Sequence, residues 1–281
     1  MKRLDGGYEK ILKLYQDEGL NVGRLEGISF GGKWTTVFGG LNQSGMAFNF
    51  TGEHSVYGEV DPAPLIKLQW LVGKPLTYLA EYLSDQEDIL YRSLYLAVLN
   101  ALSVPINRWE RLISRGFSFV SKEDQFDFVK KDDFVTVIGA GGVVANLSKQ
   151  CKMVHVLDMR PKNALENIFV GEEISRGPAG LSFHAPSESS ALLAQSDIVF
   201  MTGCTLINGT IFDLLPMIKK ARVIGVFGPS AMLAADFLAD LGINYIQTVK
   251  IADPESLKSW MIDGSGIRIP ENIMDNYMIK I

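Results

Sequence analysis

The segment DIVFMTGCTLINGT, Asp197 to Thr210, runs from an apolar stretch into hydroxyl, thiol and amide side chains, with no acid, base or histidine after Asp197. Ile198–Met201 reads as a buried strand, so Thr202, Gly203, Cys204, Thr205 and Asn208 stand at its carboxyl end, where open α/β sheets bind ligands. A second apolar run, Val223–Phe227, delivers Gly228, Pro229 and Ser230 directly before a helix. Hydroxyls, an amide and helix-start N–H groups at two neighbouring strand ends suit the holding of an oxyanion. Helix capping competes with that use: Asn208 can cap a helix beginning near Gly209, and Ser230 the one after it. Capping by these two leaves Thr202, Cys204 and Thr205 unexplained.

A second constellation lies upstream. One strand ends VTVIGAGGVVANL and the next ends VHVLDMRP, which puts Asp158 about twenty positions beyond Gly139. Gly139, Gly141 and Gly142 with Asp158 resemble a dinucleotide-binding βαβ unit, in which glycines admit a pyrophosphate and the acid takes a ribose hydroxyl. The third glycine of GxGxxG is replaced by Val144. An adenosine-containing cofactor such as S-adenosylmethionine would tolerate that departure as well as NAD(P) would, and a tight strand-to-helix turn with no dinucleotide is the other reading.

The histidines are His54, His155 and His184, none at HxH or HExxH spacing. His155 falls inside a strand and reads as a structural residue, whereas His54, beside Glu53 in a loop, could be catalytic or bind metal. Cys204 near a helix start could be a thiolate of lowered pKa or a small wall residue, and no partner base is visible for it. No P-loop, Ser-His-Asp order or paired-carboxylate motif is present.

The elements that must position these groups divide the chain in two. A short helix over Tyr8–Glu18 precedes three β runs, Val22–Phe30, Trp34–Phe38 and Met46–Phe50, separated by glycine-rich turns that predict an antiparallel meander. Helices over Pro62–Val72, Pro75–Leu83 and Glu87–Leu102 follow, the last apolar around most of its circumference and therefore buried. From about Asp132 the pattern alternates. Strands Phe134–Ile138, Met153–Leu157, Ile198–Met201, Val223–Phe227 and Tyr245–Val249 are interleaved with helices Val143–Gln150, Glu188–Gln195, Gly209–Lys220, Ala231–Leu241 and Pro254–Ile262. A long loop is expected before Ser187. The fold class is α/β, with an α+β N-terminal domain over residues 1–118 and a doubly wound, mainly parallel sheet over 119–281.

The 281 residues are 47% hydrophobic and 21% charged, enough to bury a sizeable core, and the formal charge of −5 comes without any basic run. Nucleic acid is therefore not an expected partner, and no apolar run is long enough to span a membrane. The charged, amphipathic start is unlike a signal peptide, which points to a cytoplasmic protein. Two distant cysteines indicate neither a disulfide framework nor a zinc knuckle. A homodimer is the base-rate expectation, and the tail PENIMDNYMIKI could pack on either half or serve such a contact.

The segments WTTVFGG, GMAFNF, LAVLNALS, SDIVFMTGCTLINGT, VFGPSAML and IADPESLKSWMIDGSG together resemble a heavy-metal-chelation family catalogued as a domain of unknown function, from about Gly19 to Gly266. The resemblance implies an N-terminal domain like the small capping domain of enolases, a Rossmann-like C-terminal domain, an active site in their shared cleft and a role in metal handling. Cys204 stands where the family has the middle threonine of TGTTL, and the first-strand turn is richer in glycine than the family pattern. On this view Thr202, Thr205, Asn208, Gly228 and Ser230 floor the cleft. Thr35, Thr36, Glu53, His54 and Asn100 would roof it, a buried asparagine being obliged to find a hydrogen-bond partner.

The expected ligand is an anionic metabolite or a metal chelate. Thr and Asn are poor ligands for soft metals, so a directly bound divalent or heavy metal ion would need His54, Glu53 or Cys204, and a chelate bringing its own donors is favoured. The rival expectation is an enzyme using NAD(P) or S-adenosylmethionine on the GAGG turn, and a non-catalytic metabolite sensor is a third.

Overall fold

The structure, a computed structural model, describes residues 2–51, 55–58, 61, 63, 67–162, 165, 180–262 and 269–281. Helix α1 (Lys2–Asp17) is longer than its apolar pattern suggests and buries Leu4, Ile11, Leu14 and Tyr15. Strands β1 (Leu25–Gly31), β2 (Trp34–Gly39) and β3 (Gly45–Phe48) form the expected antiparallel sheet in the order β1-β2-β3. Helix α2 (Leu76–Leu83) begins after Pro75, and α3 (Ile89–Ser103) is capped by Asp88, whose carboxylate accepts from the Leu90 N–H at 2.8 Å. Twelve of the fifteen α3 residues are buried, so α3 is the central rod of this half. Strand β3 lies so close to it that a Cβ on Gly45 would strike the Ala97 carbonyl and the Ala101 amide. Of the helix expected over 62–72, the described residues show a helical Ala63 and a 3₁₀ turn at Lys67–Leu71, which buries Leu68 and Leu71.

Helix α4 (Trp109–Ser114) leads to an eight-stranded sheet. Its strands are β4 (Ser118–Val120), β5 (Val135–Ile138), β6 (Val154–Leu157), β7 (Leu181–His184), β8 (Ile198–Thr202), β9 (Val223–Phe227), β10 (Tyr245–Ile251) and β11 (Met274–Lys280). The order is β4-β11-β10-β9-β8-β5-β6-β7. Strands β5 to β10 are mutually parallel, and β11 and β4 close one edge antiparallel. Counted from β5, the parallel strands follow the order 3-2-1-4-5-6 of doubly wound sheets, and the order reverses between β5 and β8.

The five expected strands are present and three more were not expected. β7 interrupts the supposed long loop, β4 lies at the supposed domain boundary, and β11 is the C-terminal tail. Helices α5 (Val143–Leu147), α6 (Ser189–Gln195), α7 (Cys204–Ile207), α8 (Ile211–Leu214), α9 (Ala235–Asp240) and α10 (Pro254–Ile262) connect the strands. The single helix expected over Gly209–Lys220 is instead α8 plus a 3₁₀ turn at Leu215–Met217, because Pro216 has no N–H to continue an α-helix. The helix expected from Ala231 starts at Ala235, after a 3₁₀ turn at Pro229–Ala231.

Alternation along the strands separates two faces. Val135, Val137, Val154, Val156, Ile198 and Phe200 pack under Phe126, Val143, Val144 and Leu147 on one side. Leu157, Val199, Met201 and Val226 face the other way, into a core continuous with the buried residues of α1, α2 and α3. A third cluster joins Trp34, Phe38 and Met46 of the small sheet to Val249, Leu257 and Met261. The three-stranded sheet is thus fastened over the carboxyl ends of the large one, beside β8, β9 and β10. Among the described residues no helix is long and apolar enough to cross a membrane.

Candidate functional site

The chain leaves β5 through Gly139, at φ +88°, whose N–H donates to the Leu157 carbonyl at 2.8 Å. A Cβ at 139 would stand 2.6 Å from Thr202 Cγ2, and one at 141 would stand 2.6 Å from Phe227 Cε2. Side chains from the ends of β8 and β9 therefore fill the space above the turn, and the glycines answer that close packing. Gly142 alone of the three faces open space.

Asp158, just past β6, has only 8% of its side chain exposed. Its Oδ2 accepts from the Ala140 N–H at 2.8 Å and from Arg160 Nη2 at 2.8 Å. Its Oδ1 accepts from the Arg160 backbone N–H at 2.9 Å and Nε at 3.0 Å. Burial pushes this carboxyl up, but the guanidinium and the two amides outweigh it and leave the pKa below the usual carboxylate range. Both oxygens thus hold the turn and the arginine.

Arg160 also acts on Lys33, which sits in the β1–β2 turn and donates to the Thr51 carbonyl. Burial, and then the nearby Arg160 charge, lower the Lys33 pKa. Cys204 completes the group. Burial pushes its thiol up to about 11 despite hydrogen bonding with Thr202 and Ser230, and it also feels Asp158 and Arg160. Two cations, one carboxylate, a thiol and the hydroxyls of Thr202 and Ser230 are therefore neighbours linked by hydrogen bonds or charge.

The other residues singled out in the sequence are placed as follows. Thr205 Oγ1 donates to the Thr202 carbonyl at 2.7 Å, and Thr202 Oγ1 accepts from the Cys204 N–H at 3.4 Å, so both hydroxyls serve the start of α7. Gly203 cannot carry a side chain, since a Cβ would fall 2.6 Å from the Ala231 nitrogen. Asn208 Oδ1 accepts from the Thr210 N–H at 3.1 Å and hydroxyl at 2.7 Å, which closes an Asx turn and is not the expected cap, since Thr210 is the N-cap of α8 and Asn208 ends α7. Its Nδ2 donates to the Tyr57 hydroxyl at 3.0 Å. Gly228 donates to the Gln247 carbonyl at 2.9 Å and opens the 3₁₀ turn containing Pro229 and Ser230.

Of the proposed roof residues, Thr35, Thr36 and Asn100 are buried in the seam between the sheets. Ser230 Oγ accepts from the Phe48 N–H at 2.9 Å, and Asn100 Nδ2 donates to the carbonyls of Met46 at 2.8 Å and Ser230 at 3.3 Å. Thr35 Oγ1 accepts from Ser93 at 2.9 Å, and Thr36 Oγ1 lies 3.8 Å from Met261 Sδ. Thr35, Thr36 and Asn100 have no exposed surface. Glu53 and His54 lie outside the described residues. Sequence reasoning missed Lys33, Arg160 and Tyr57. The available signals were a lysine in the GGK turn and an arginine two residues after Asp158, both of which read as ordinary surface charges.

A family model described as putative heavy-metal chelation, DUF364, matches residues 124–279, and a second with the same description, DUF4213, matches residues 14–103. The chain belongs to this heavy-metal-chelation family. An uncharacterized protein from Methanocaldococcus jannaschii is 25% identical over 201 residues, which cover 71% of this chain and 70% of that protein. Two solved structures of DUF364 proteins of unknown function share the fold at 20% identity. The one from Desulfitobacterium hafniense has a TM-score of 0.68 and covers 99% of both chains. The one from Pyrococcus horikoshii has a TM-score of 0.70 and covers 99% of this chain and all of its own.

The side chains grouped around Arg160 and Cys204 in this family member do not suit a bare metal cation. Lys33 and Arg160 repel one, Cys204 is a protonated thiol, and hydroxyls are poor donors to soft metals. Among the described residues no group of three or more His, Cys, Asp or Glu side chains could hold a metal ion.

Of the two readings of Cys204, a thiolate of lowered pKa or a small wall residue, its surroundings favour the second, because burial raises the pKa of the thiol. With a pKa of about 11, roughly one thiol in 10,000 is ionised at pH 7, against a few per cent for an ordinary cysteine. Iodoacetamide should therefore label Cys204 at least 100-fold more slowly in the native protein than in the unfolded chain, as followed by peptide mass spectrometry. Rapid native labelling at pH 7 would show that the thiol is activated.

Proposed function

We propose that the crevice between the β1–β2 turn and the carboxyl ends of β6, β8 and β9 binds an anionic small molecule, either a free multivalent anion or a metal chelate with net negative charge. The supporting observation is the convergence of Lys33 and Arg160, close enough for the arginine to lower the lysine pKa. Asp158 neutralises one of these charges, so the three groups carry a net positive charge that an anion would offset. The hydroxyls of Thr202 and Ser230 and the Tyr57–Asn208 pair add neutral hydrogen-bonding groups around it. Residues 1–118 and 119–281 would act as the two walls. A chelate arrives with its metal already ligated, which reconciles a metal-handling role with a site that repels free cations.

One observation favours a nucleotide cofactor instead: the strand order reverses between β5 and β8, beside the GAGG turn. Against it, Thr202 and Phe227 pack onto that turn and both Asp158 oxygens are engaged. The test is the melting temperature of metal-stripped protein with phosphate, citrate, metal–citrate complexes, NAD(P) and S-adenosylmethionine. A ligand at 100 times its dissociation constant stabilises by about 2.7 kcal/mol, a shift of several degrees. The expected result is a shift with the polyanions or their metal complexes, weakened by Lys33→Gln. A shift confined to the adenosine compounds would transfer the site to the nucleotide reading.

A further inference from the structure

The hairpin between β2 and β3 turns at the end of β2 remote from Lys33. Gly40, Leu41, Asn42 and Gln43 form a tight turn in which the Gln43 N–H donates to the Gly40 carbonyl at 3.3 Å, with φ +64° at Leu41 and +59° at Asn42. Turns with positive φ at both central positions favour glycine, asparagine or aspartate there. Asn42 conforms and Leu41 does not. A leucine held at this φ is strained by its Cβ, and Leu41 gains little burial in return, since it is 60% exposed. Strain retained without packing indicates a use outside the fold. Leu41 forms one wall of a pocket of about 190 Å³, in which Leu20 and Pro105 supply further apolar wall and Asn21, Arg108 and Arg111 the polar one. Gln43 fastens the turn to the opposite wall: its Nε2 donates to the Asn21 carbonyl and its Oε1 accepts from the Gly23 N–H, both at 2.8 Å.

We propose that this pocket binds a small aliphatic monocarboxylate, with the carboxylate on Arg108 and the alkyl end against Leu20, Leu41 and Pro105. The two arginines of the pocket differ in their freedom. Arg111 is committed, its Nε 2.6 Å from Glu18 Oε2 and its Nη1 donating to the Pro105 carbonyl at 3.0 Å. The Arg108 side chain has no hydrogen bond or ion pair among the described residues. Glu18 also pairs with Arg115, and Arg115 with Asp236, so two carboxylates compensate Arg111 and Arg115 and leave the Arg108 charge unmatched. A guanidinium fork matches the two oxygens of a carboxylate, and one unmatched cation suits a single negative charge. At about 30 Å³ for a water-sized group, the volume takes roughly six or seven heavy atoms, which is the size of a four- or five-carbon acid and far below that of a nucleotide. The six residues of β2, about 20 Å of strand, separate the pocket from Lys33, so its occupancy does not depend on the anion site proposed above.

The test is calorimetric titration of the full chain with isovalerate, beside isovaleramide as its neutral counterpart and acetate as an anion without the apolar body. One isovalerate per chain is expected, with binding at least tenfold tighter than that of either comparison compound and unchanged in Lys33→Gln. Arg108→Gln, a change at an exposed side chain, should weaken it at least tenfold. Leu41→Asn should weaken it several-fold while leaving the melting temperature equal or higher, because asparagine tolerates φ +64° better than leucine does. A lower melting temperature in Leu41→Asn would show that Leu41 serves the fold and would overturn its assignment to a ligand. A wild-type chain that binds no isovalerate up to about 10 mM, equal binding of isovaleramide, or affinity unchanged in Arg108→Gln would overturn the carboxylate site.

Discussion

Asp158→Ala is expected to lower the melting temperature by roughly 6–12 °C, the equivalent of about 3 kcal/mol in a protein of this size. The substitution strands the Arg160 guanidinium and the Ala140 N–H, both of which the carboxylate satisfies. Arg160 keeps 28% of its side chain exposed, so solvent relieves part of its loss and the effect sits at the low end for a broken buried pair. The effect carries a pH signature. The folded-state pKa of Asp158 is depressed, so its contribution is fully present above the unfolded carboxylate value of about 4 and is lost as pH falls through the folded value. Thermal unfolding at pH 7 and at pH 3.5 should therefore show a wild-type advantage that shrinks in acid. A difference of under about 1 kcal/mol at pH 7 would mean that the pair is screened like a surface one.

Asn100→Ala should cost a comparable amount, roughly 3 kcal/mol. Fully buried, Asn100 bridges the Met46 carbonyl of the small sheet and the Ser230 carbonyl beyond β9. Its loss leaves two buried acceptors short of a donor and opens a small cavity beside α3. Ser230 reaches across the same seam, accepting from the Phe48 N–H, so Asn100→Ala and Ser230→Ala should be coupled. A double-mutant cycle in urea should give an interaction energy of about 0.5 kcal/mol or more. Strict additivity would show that the two contacts stabilise the seam independently.

The sequence made the interior of the fold easier to read than its edges. Runs such as FVTVI and VIGVF are apolar because parallel strands are covered on both faces, and each marked a strand within a residue or two. Strands β4 and β7 are short and half-buried, and β11 mixes polar with apolar residues at the edge it helps to form, so none of them carries that signal. Of the site, the loops after β8 and β9 were legible because small polar residues interrupt apolar runs there. The inward placement of Thr35 and Thr36 was not, since β2 is buried along its whole length and a threonine on either face looks the same in sequence. Lys33 and Arg160 come together only through the docking of the small sheet, which no local pattern encodes.

That convergence is tested most directly by lysine NMR, with the Lys33 ammonium signal assigned by its absence in Lys33→Gln and followed against pH with and without a polyanion such as citrate. The expected result is a Lys33 that titrates below an ordinary lysine in the free protein, in keeping with burial beside Arg160, and that moves upward when the anion binds. A Lys33 that titrates as an ordinary surface lysine and is unmoved by any anion would contradict the proposal that these two cations form a binding site.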